Sequence, residues 1–176
     1  AAFGIALLSA GTAQADIVTD IQDYWTLDGN ANPAIDSTFD ATFTGDAETY
    51  VAGKFGQGID LERDGVLDYL TVGGVGDEFD QAGGDVTISL WFTTENLEVN
   101  WQALIANGEG DAWRLARRSG TTESAYAGGA PDIYNGDLST EGFHHIVGIS
   151  EAGVEMRLWL DGVKVTGDAP TLGDDN

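Results

Sequence analysis

A β-hairpin within Phe143–Thr166 constrains the fold more strongly than any other feature of this sequence. Asp161-Gly162 is one of the strongest signals for a two-residue hairpin loop, because glycine tolerates the positive φ that such a loop requires. A loop closed there places Leu160 opposite Val163. Strand alternation aligns six apolar side chains on one face: Val154, Met156, Leu158, Leu160, Val163 and Val165. The hairpin therefore needs a second layer that covers this face.

The same alternation recurs along the chain. It is clearest over Asp85–Thr93, where every second residue is a large apolar one. Short apolar runs at a spacing of about 8–12 residues predict an all-β fold, a two-sheet antiparallel β-sandwich. The individual segments predict a first strand over 17–27, a hairpin between 58–62 and 66–72, strands over 101–106 and 112–116, and a turn-rich crossing of one rim over 119–141.

Four motifs follow one another in a characteristic order. They are YWTLDGNA at 24–31, GKFGQG at 53–58, VTISLWF at 86–92, and FHHIVGIS followed by AGVEMRLWLDGVKV within 143–165. Together they resemble laminin-G-like (concanavalin A-like lectin/glucanase) jelly-roll domains, which many bacterial secreted proteins carry. The resemblance implies a jelly roll over residues 16–176, while one such fold hosts many functions.

The resemblance also raises an expectation about the sheet edges. Domains of this kind close with one more strand after the hairpin, and the sequence shows no such strand before Asn176. We expect a domain that lacks its closing C-terminal strand, either because the chain is a fragment or because one sheet edge is open. An open edge would allow self-association through strand pairing.

Residues 1–15 predict export. They carry no charge and combine an apolar run with Ala13-Gln14-Ala15, the small-x-small pattern that signal peptidase accepts. We expect them to be the remnant of a secretory signal peptide, too short to span a bilayer. The chain has no cysteine, so disulfides do not hold the exported domain together. The predicted location is extracellular or at the cell surface.

The charge limits the partners. The net charge of −23 repels nucleic acid and anionic membrane surfaces. It is compatible with calcium, which prefers carboxylate and carbonyl oxygens. A candidate calcium site gathers Asp28 and Asn30 with Asp64 or Asp68 from a neighbouring turn. The alternative is an Asx-rich turn whose side chains bond only to its own backbone.

Aromatic residues supply the candidate ligand-binding site. Sugar rings stack on flat aromatic faces while their hydroxyls bond to polar side chains, so a mixed aromatic and charged surface suits glycans. The alternative is that most of the tryptophans close the core or its rim. The candidates are Trp91, Trp159, Trp113, Arg114 and Tyr134.

Catalytic signatures are absent from the sequence. Two Glu-x-Asp pieces, Glu62-Arg63-Asp64 and Glu109-Gly110-Asp111, lack the third acid of the glycosidase motif. His144 and His145 are adjacent in a strand, so they point to opposite faces and cannot serve one site. We therefore expect a secreted non-catalytic recognition or adhesion module that binds a glycan or an extracellular protein, with possible help from calcium. The alternatives are a self-assembling structural or filament subunit and a polysaccharide-cleaving enzyme.

Overall fold

The computed structural model describes residues 21–62, 66–73, 79, 85–97, 99–108, 113–127, 132–151, 154–165 and 169–170. These residues form antiparallel strands and one 3-10 turn, Ser37–Phe39. No helix long and apolar enough to cross a membrane occurs in this part of the chain. The strands are β1 Ala41–Thr44, β2 Thr49–Ala52, β3 Gln57–Asp60, β4 Tyr69–Val72, β5 Val86–Phe92, β6 Ala103–Ala106, β7 Arg114–Arg117, β8 Glu123–Ala127, β9 Ile133–Asp137, β10 His144–Glu151, β11 Glu155–Leu160, β12 Val163–Lys164 and β13 Ala169–Pro170.

Sheet I contains the predicted hairpin. Its strand order is β12-β11-β10-β5, and β13 also pairs with β11. Residues alternate strictly between buried and half-buried along β5, β10 and β11, as the period-two pattern predicted for β5 and β11. One face of the sheet therefore forms the core, and the apolar residues that the sequence assigned to β5 lie on it.

The hairpin register is confirmed. Leu160 lies opposite Val163, and the loop residues Asp161 and Gly162 have φ of 51° and 79°. Met156, Leu158 and Leu160 are buried as predicted, whereas Val154 and Val163 are 58% and 67% exposed. The prediction for these two valines was wrong, because they flank the turns at the ends of β11, where no opposing side chain covers them.

Sheet II has the order β6-β7-β8-β9 and packs against the inner face of sheet I. A Cβ added at Gly148 of β10 would lie 3.0 Å from Leu115 and 3.2 Å from Tyr126 of sheet II. The Tyr126 hydroxyl also lies 2.6 Å from Ser150 Oγ across the interface. The two sheets therefore meet face to face, which confirms the antiparallel sandwich.

The predicted turn-rich crossing over 119–141 was wrong. This segment contains β8, an interior strand of sheet II, and β9. Alternate positions in β8 are taken by small residues such as Ala125, which carry little hydrophobic signal although the strand is almost wholly buried. Hydrophobic periodicity in the sequence does not reveal that small residues such as alanine are buried.

The predicted hairpin between 58–62 and 66–72 was also wrong. β3 pairs with β2 across the turn at 53–56, and β4 pairs with β1 on the far side of that hairpin. The four strands therefore form two nested antiparallel pairs. The buried Asp68 carboxylate accepts the N–H groups of Asp46 at 3.1 Å and Glu62 at 3.3 Å. These bonds satisfy backbone N–H groups in the breaks between β1 and β2 and between β3 and β4. No local sequence pattern indicates this arrangement.

The N-terminal segment is irregular within its described part. Instead of a strand up to Leu27, it makes a single bridge between Trp25 and Pro33. The fully buried Asp23 carboxylate accepts the N–H groups of Tyr24, Ile35 and Asp36, and so ties this segment to the following loop. The predictions for residues 1–15 and 17–20 lie outside the described residues.

Candidate functional site

The outer face of sheet II has an unusual floor. Leu115 and Tyr126 point into the core, so alternation turns Ala116 and Ala125 outward, where they lie opposite each other. Tyr134 follows in the same row, opposite Ala125. Both alanines are 0% exposed. We call this surface, with Ala127 and the residues that border it, the alanine face.

Two aromatic rings border the alanine face, and each carries an arginine. The guanidinium of Arg114 lies 4.5 Å from the ring centroid of Trp101. That of Arg118 lies 3.3 Å from the ring centroid of Tyr134 and donates to Glu123 Oε2 at 2.9 Å. Tyr134 is 40% exposed. The face therefore combines flat aromatic surfaces with planar hydrogen-bond donors.

Asp132 connects the two arginines electrostatically. Burial raises the pKa of its carboxyl group, while the positive charges of Arg114 and Arg118 oppose that rise. The hydrogen bond to Glu123 raises the pKa of Arg118, which stays charged. Three of the seven basic residues of the chain, Arg114, Arg117 and Arg118, occur in this part of sheet II. A partly buried acid with a raised pKa between two cations is typical of functional sites.

A comparison with known protein families identifies the domain. The model of the concanavalin A-like lectin/glucanases superfamily matches residues 64–175, more than half of the chain. The chain belongs to this superfamily. No curated protein and no solved structure matches it. The superfamily includes enzymes and non-enzymes, and at this level the concanavalin A-like domain fits a binding module.

The predicted ligand-binding residues do not converge on one surface of the concanavalin A-like domain. Arg114 and Tyr134 belong to the alanine face. Trp113 precedes β7 and is buried in the core, where its Nε1 donates to Phe79 O at 2.5 Å. Trp91 and Trp159 lie on the outer face of sheet I. The residues are thus spread over three environments.

The outer face of sheet I is filled by its own side chains. The Trp91 ring stacks on His145 with centroids 4.7 Å apart, and Lys54 Nζ lies 4.8 Å from the indole centroid. Phe55 meets the same indole edge-to-face at 6.0 Å. Ser89 Oγ lies 2.8 Å from His145 Nε2. Trp91 therefore has a cation on its ring, as Trp101 and Tyr134 have, and in addition stacks on a neighbouring imidazole.

The two histidines point to opposite faces, as predicted. His144 is buried, and its Nδ1 and Nε2 lie 2.8 Å from Asp161 Oδ2 and 3.0 Å from Thr140 O. Burial alone would lower the pKa of His144, but the bonds to Asp161 and Thr140 outweigh it, and the pKa is raised. His145 contributes its backbone N–H to Asp161 Oδ1 at 2.8 Å. The pair anchors the hairpin loop to β10.

The predicted calcium ligands are only partly described. Asp28 Oδ1 accepts the N–H of Gln57 at 3.0 Å, and Asn30 Oδ1 accepts the N–H of Asn32 at 2.9 Å. Asp64 lies outside the described residues, and Asp68 bonds to backbone N–H groups as above. Among the described residues no group of three potential metal-ligating side chains occurs.

Sequence reasoning did not select three residues of the alanine face: Trp101, Arg118 and Asp132. Trp101 and Arg118 lie at the ends of strands, and Asp132 lies in a stretch that was interpreted as rim turns. The Arg114, Arg117 and Arg118 cluster in an acidic chain was the one available signal. Which aromatic side chains meet these arginines depends on the strand order of sheet II.

Proposed function

We propose that the protein is a secreted or cell-surface, non-catalytic recognition module that binds carbohydrate on the alanine face. One observation carries this proposal: the rings of Trp101 and Tyr134 each hold a guanidinium on the outer side of sheet II. The uncharged, signal-like residues 1–15 support export.

The chemistry of the face suits a sugar chain. A pyranose presents an apolar C–H face that stacks on aromatic rings, and equatorial hydroxyls that bond to planar polar groups. Because Ala116 and Ala125 are 0% exposed, a sugar would contact the aromatic rings and charged side chains around them and not the alanines themselves. Arg114, Arg118 and Asp132 supply donors and an acceptor beside those rings. A sugar would take the place of a guanidinium on a ring, and the released arginine would bond to its hydroxyls.

The carboxylates of the face favour binding over catalysis. Glu123 accepts a hydrogen bond from Arg118. Asp132 faces two arginines, which support ion pairing rather than proton transfer. Its raised pKa is the one property it shares with a general acid, so an assay for sugar release from polysaccharides is the matching control. Release of reducing ends that depends on Asp132 would replace the binding proposal with the enzymatic one.

Calcium assistance forms a separate part of the proposal. The loop around Asp28 and Asn30 carries the oxygen ligands that calcium prefers. Calcium that binds only the folded state raises the melting temperature after chelator treatment. An unchanged melting temperature would remove calcium from the proposal without affecting the glycan site.

The decisive experiment is a glycan array with and without calcium. It compares the wild type with Tyr134→Ala and Trp101→Ala. Tyr24→Ala is the matched control, because Tyr24 is 36% exposed and lies outside the alanine face. We expect both site variants to lose at least tenfold in affinity for the glycans that bind, and the control to keep it. An empty array, or equal binding by all variants, would contradict the proposal.

A further inference from the structure

A large cavity is lined by residues from several strands and loops of the domain. Its volume of about 960 Å³ lies within the range of small-molecule sites. The buried Ile88 of β5 and the half-buried Leu104 and Ile105 of β6 belong to its lining, as do Trp25 and Trp113. A molecule bound there would bury apolar surface against these side chains.

Arg117 brings a positive charge into this lining. Alternation along β7 turns Arg117 to the same side as Leu115, which points into the core, and Arg117 is only 7% exposed. Its Nη1 donates to Val99 O at 2.8 Å and its Nε donates to Thr121 O. Within the described part of the chain, its Nη2 has no hydrogen-bond partner and the guanidinium has no ion pair. A buried charge is costly unless it is paired.

The acidic residues of the lining do not neutralise this charge. Both oxygens of Asp68 accept backbone N–H groups, Asp60 and Glu62 have partners of their own, and Glu95 is exposed. Arg117 is therefore the buried charge, among the described lining residues, that still has a whole amino group free to donate.

The cavity has a cationic part and an aromatic part. Trp113 lies four residues before Arg117 on the same side of the chain, about 13 Å away at the rise of an extended backbone. Its Nε1 already donates to Phe79 O, so the ring offers its apolar surface to a ligand. An elongated molecule can contact both residues at once.

We propose that this cavity binds a small amphipathic carboxylate, an elongated apolar molecule that ends in a single carboxylate group. The carboxylate would accept hydrogen bonds from Nη2 of Arg117 and form the ion pair that the described residues do not supply. The apolar body would cover Ile88 and extend towards Trp113. This binding does not depend on the proposed glycan binding.

The test compares three ligands of equal chain length on the full chain: octanoate, 1-octanol and octylammonium. Calorimetry should show binding of octanoate and at least tenfold weaker binding of the other two, because a hydrogen bond to a charged group is lost. The net charge of −23 attracts octylammonium and repels octanoate, so a preference for octanoate requires a local cation. The inference is overturned if octanoate does not bind at millimolar concentration, or if either other ligand binds as tightly.

Arginine variants locate the carboxylate. Arg117→Met keeps an apolar stem and removes the charge, so the affinity for octanoate should fall to that for 1-octanol, whereas Arg117→Lys should retain part of the preference. Arg157→Met is the matched control, because Arg157 lies outside the cavity lining and is paired with Glu151 and Glu155. An unchanged preference in Arg117→Met, or a lost one in Arg157→Met, would contradict the assignment.

Two further variants separate the cavity from the glycan site. Ile105 lies opposite Leu115 and therefore faces inward, so Ile105→Trp fills the cavity and should weaken octanoate binding at least tenfold. Tyr134→Ala removes a ring of the proposed glycan site that is not part of the cavity lining, and should leave octanoate binding unchanged. Full octanoate binding by Ile105→Trp, or its loss in Tyr134→Ala, would count against the cavity.

Nuclear magnetic resonance of the wild type decides the location even where a variant fails to fold. The indole N–H signal of Trp113 should shift when octanoate is added. The signals of Trp91 and Trp159, on the outer face of sheet I, should not shift. Shifts confined to these two tryptophans would place the ligand outside the cavity and overturn the inference.

Discussion

The two sheets of this sandwich share one core but differ in their outer faces. Sheet I carries Trp91, Val147, Ile149 and Trp159 outward; Trp91 stacks on His145, and Val147 lies opposite Trp159. Sheet II carries alanines outward and places its aromatic rings at the border. A face filled by large residues stabilises its own sheet, whereas on sheet II the large side chains and their cations lie only at the border. The location of aromatic residues alone therefore does not identify the binding surface.

Among these predictions, enlarging a buried alanine of sheet II should change the free energy of unfolding most. Ala125→Leu inserts bulk at a position that is 0% exposed and should cost about 1–3 kcal/mol in the free energy of unfolding, together with glycan binding. Thr87→Leu places the same side chain on the half-buried outer face of sheet I, with a smaller increase in volume, and should cost less than about 0.5 kcal/mol. Urea unfolding measures both. Equal costs would show that the two faces do not differ in packing.

Removing an aromatic residue should have opposite consequences on the two faces. Trp91→Ala loses the contacts with His145, Phe55 and Lys54 and should lower the free energy of unfolding by about 1–2 kcal/mol without changing glycan affinity. Tyr134→Ala should weaken glycan binding and change stability by less than Trp91→Ala. Thermal unfolding and array binding of the same two preparations decide this. Glycan binding that fails with Trp91→Ala would move the site to sheet I.

The hairpin of sheet I should respond to pH. The pKa of His144 is raised, so its contribution to stability is present below about pH 6.5 and is lost as the pH rises through the folded-state value. Burial opposes the lowering of the pKa of Asp161, but the bonds from His145 and His144 prevail, so its contribution is present above about pH 3.9 and is lost as the pH falls through the folded-state value. The stability difference between the wild type and Asp161→Asn should therefore be largest between about pH 4 and 6.5.

Asparagine tolerates positive φ, so Asp161→Asn keeps the turn while it removes the charge. Because Asp161 is partly exposed, we expect a difference below about 1 kcal/mol, measured by melting temperature across the pH range. A difference independent of pH would contradict the ion pair.

The smallest effect should come from the ion pair on the alanine face. Glu123→Gln removes the charge that faces Arg118, with both side chains about one-third exposed. Such pairs contribute about 0.2–1 kcal/mol, so stability should change little and should not depend on pH between 6 and 8, in contrast to the hairpin of sheet I. Melting temperatures measured over a range of salt concentrations give this contribution. A loss above about 2 kcal/mol would show that the pair supports the fold of sheet II.

Much of sheet I could be predicted because its information is local. The positive φ at Gly162 and the alternation of β5 and β11 depend on neighbours in sequence, and both were confirmed. β8 was missed because its alanines are buried by side chains from distant segments. The nesting of β2 and β3 within β1 and β4 was missed because it depends on the Asp68 carboxylate, which bonds to residues up to 22 positions away.

The sequence alone determined the class of the protein: a strongly acidic, all-β chain whose alternating apolar residues require two layers, with the hairpin register set by one dipeptide. Only the tertiary structure decided which surfaces are open. Strand order brings five residues together beside the outward-facing alanines of sheet II: Trp101, Arg114, Arg118, Asp132 and Tyr134. The physical reason is that backbone conformation and alternation are short-range, whereas the space above a residue depends on the side chains that other strands place around it.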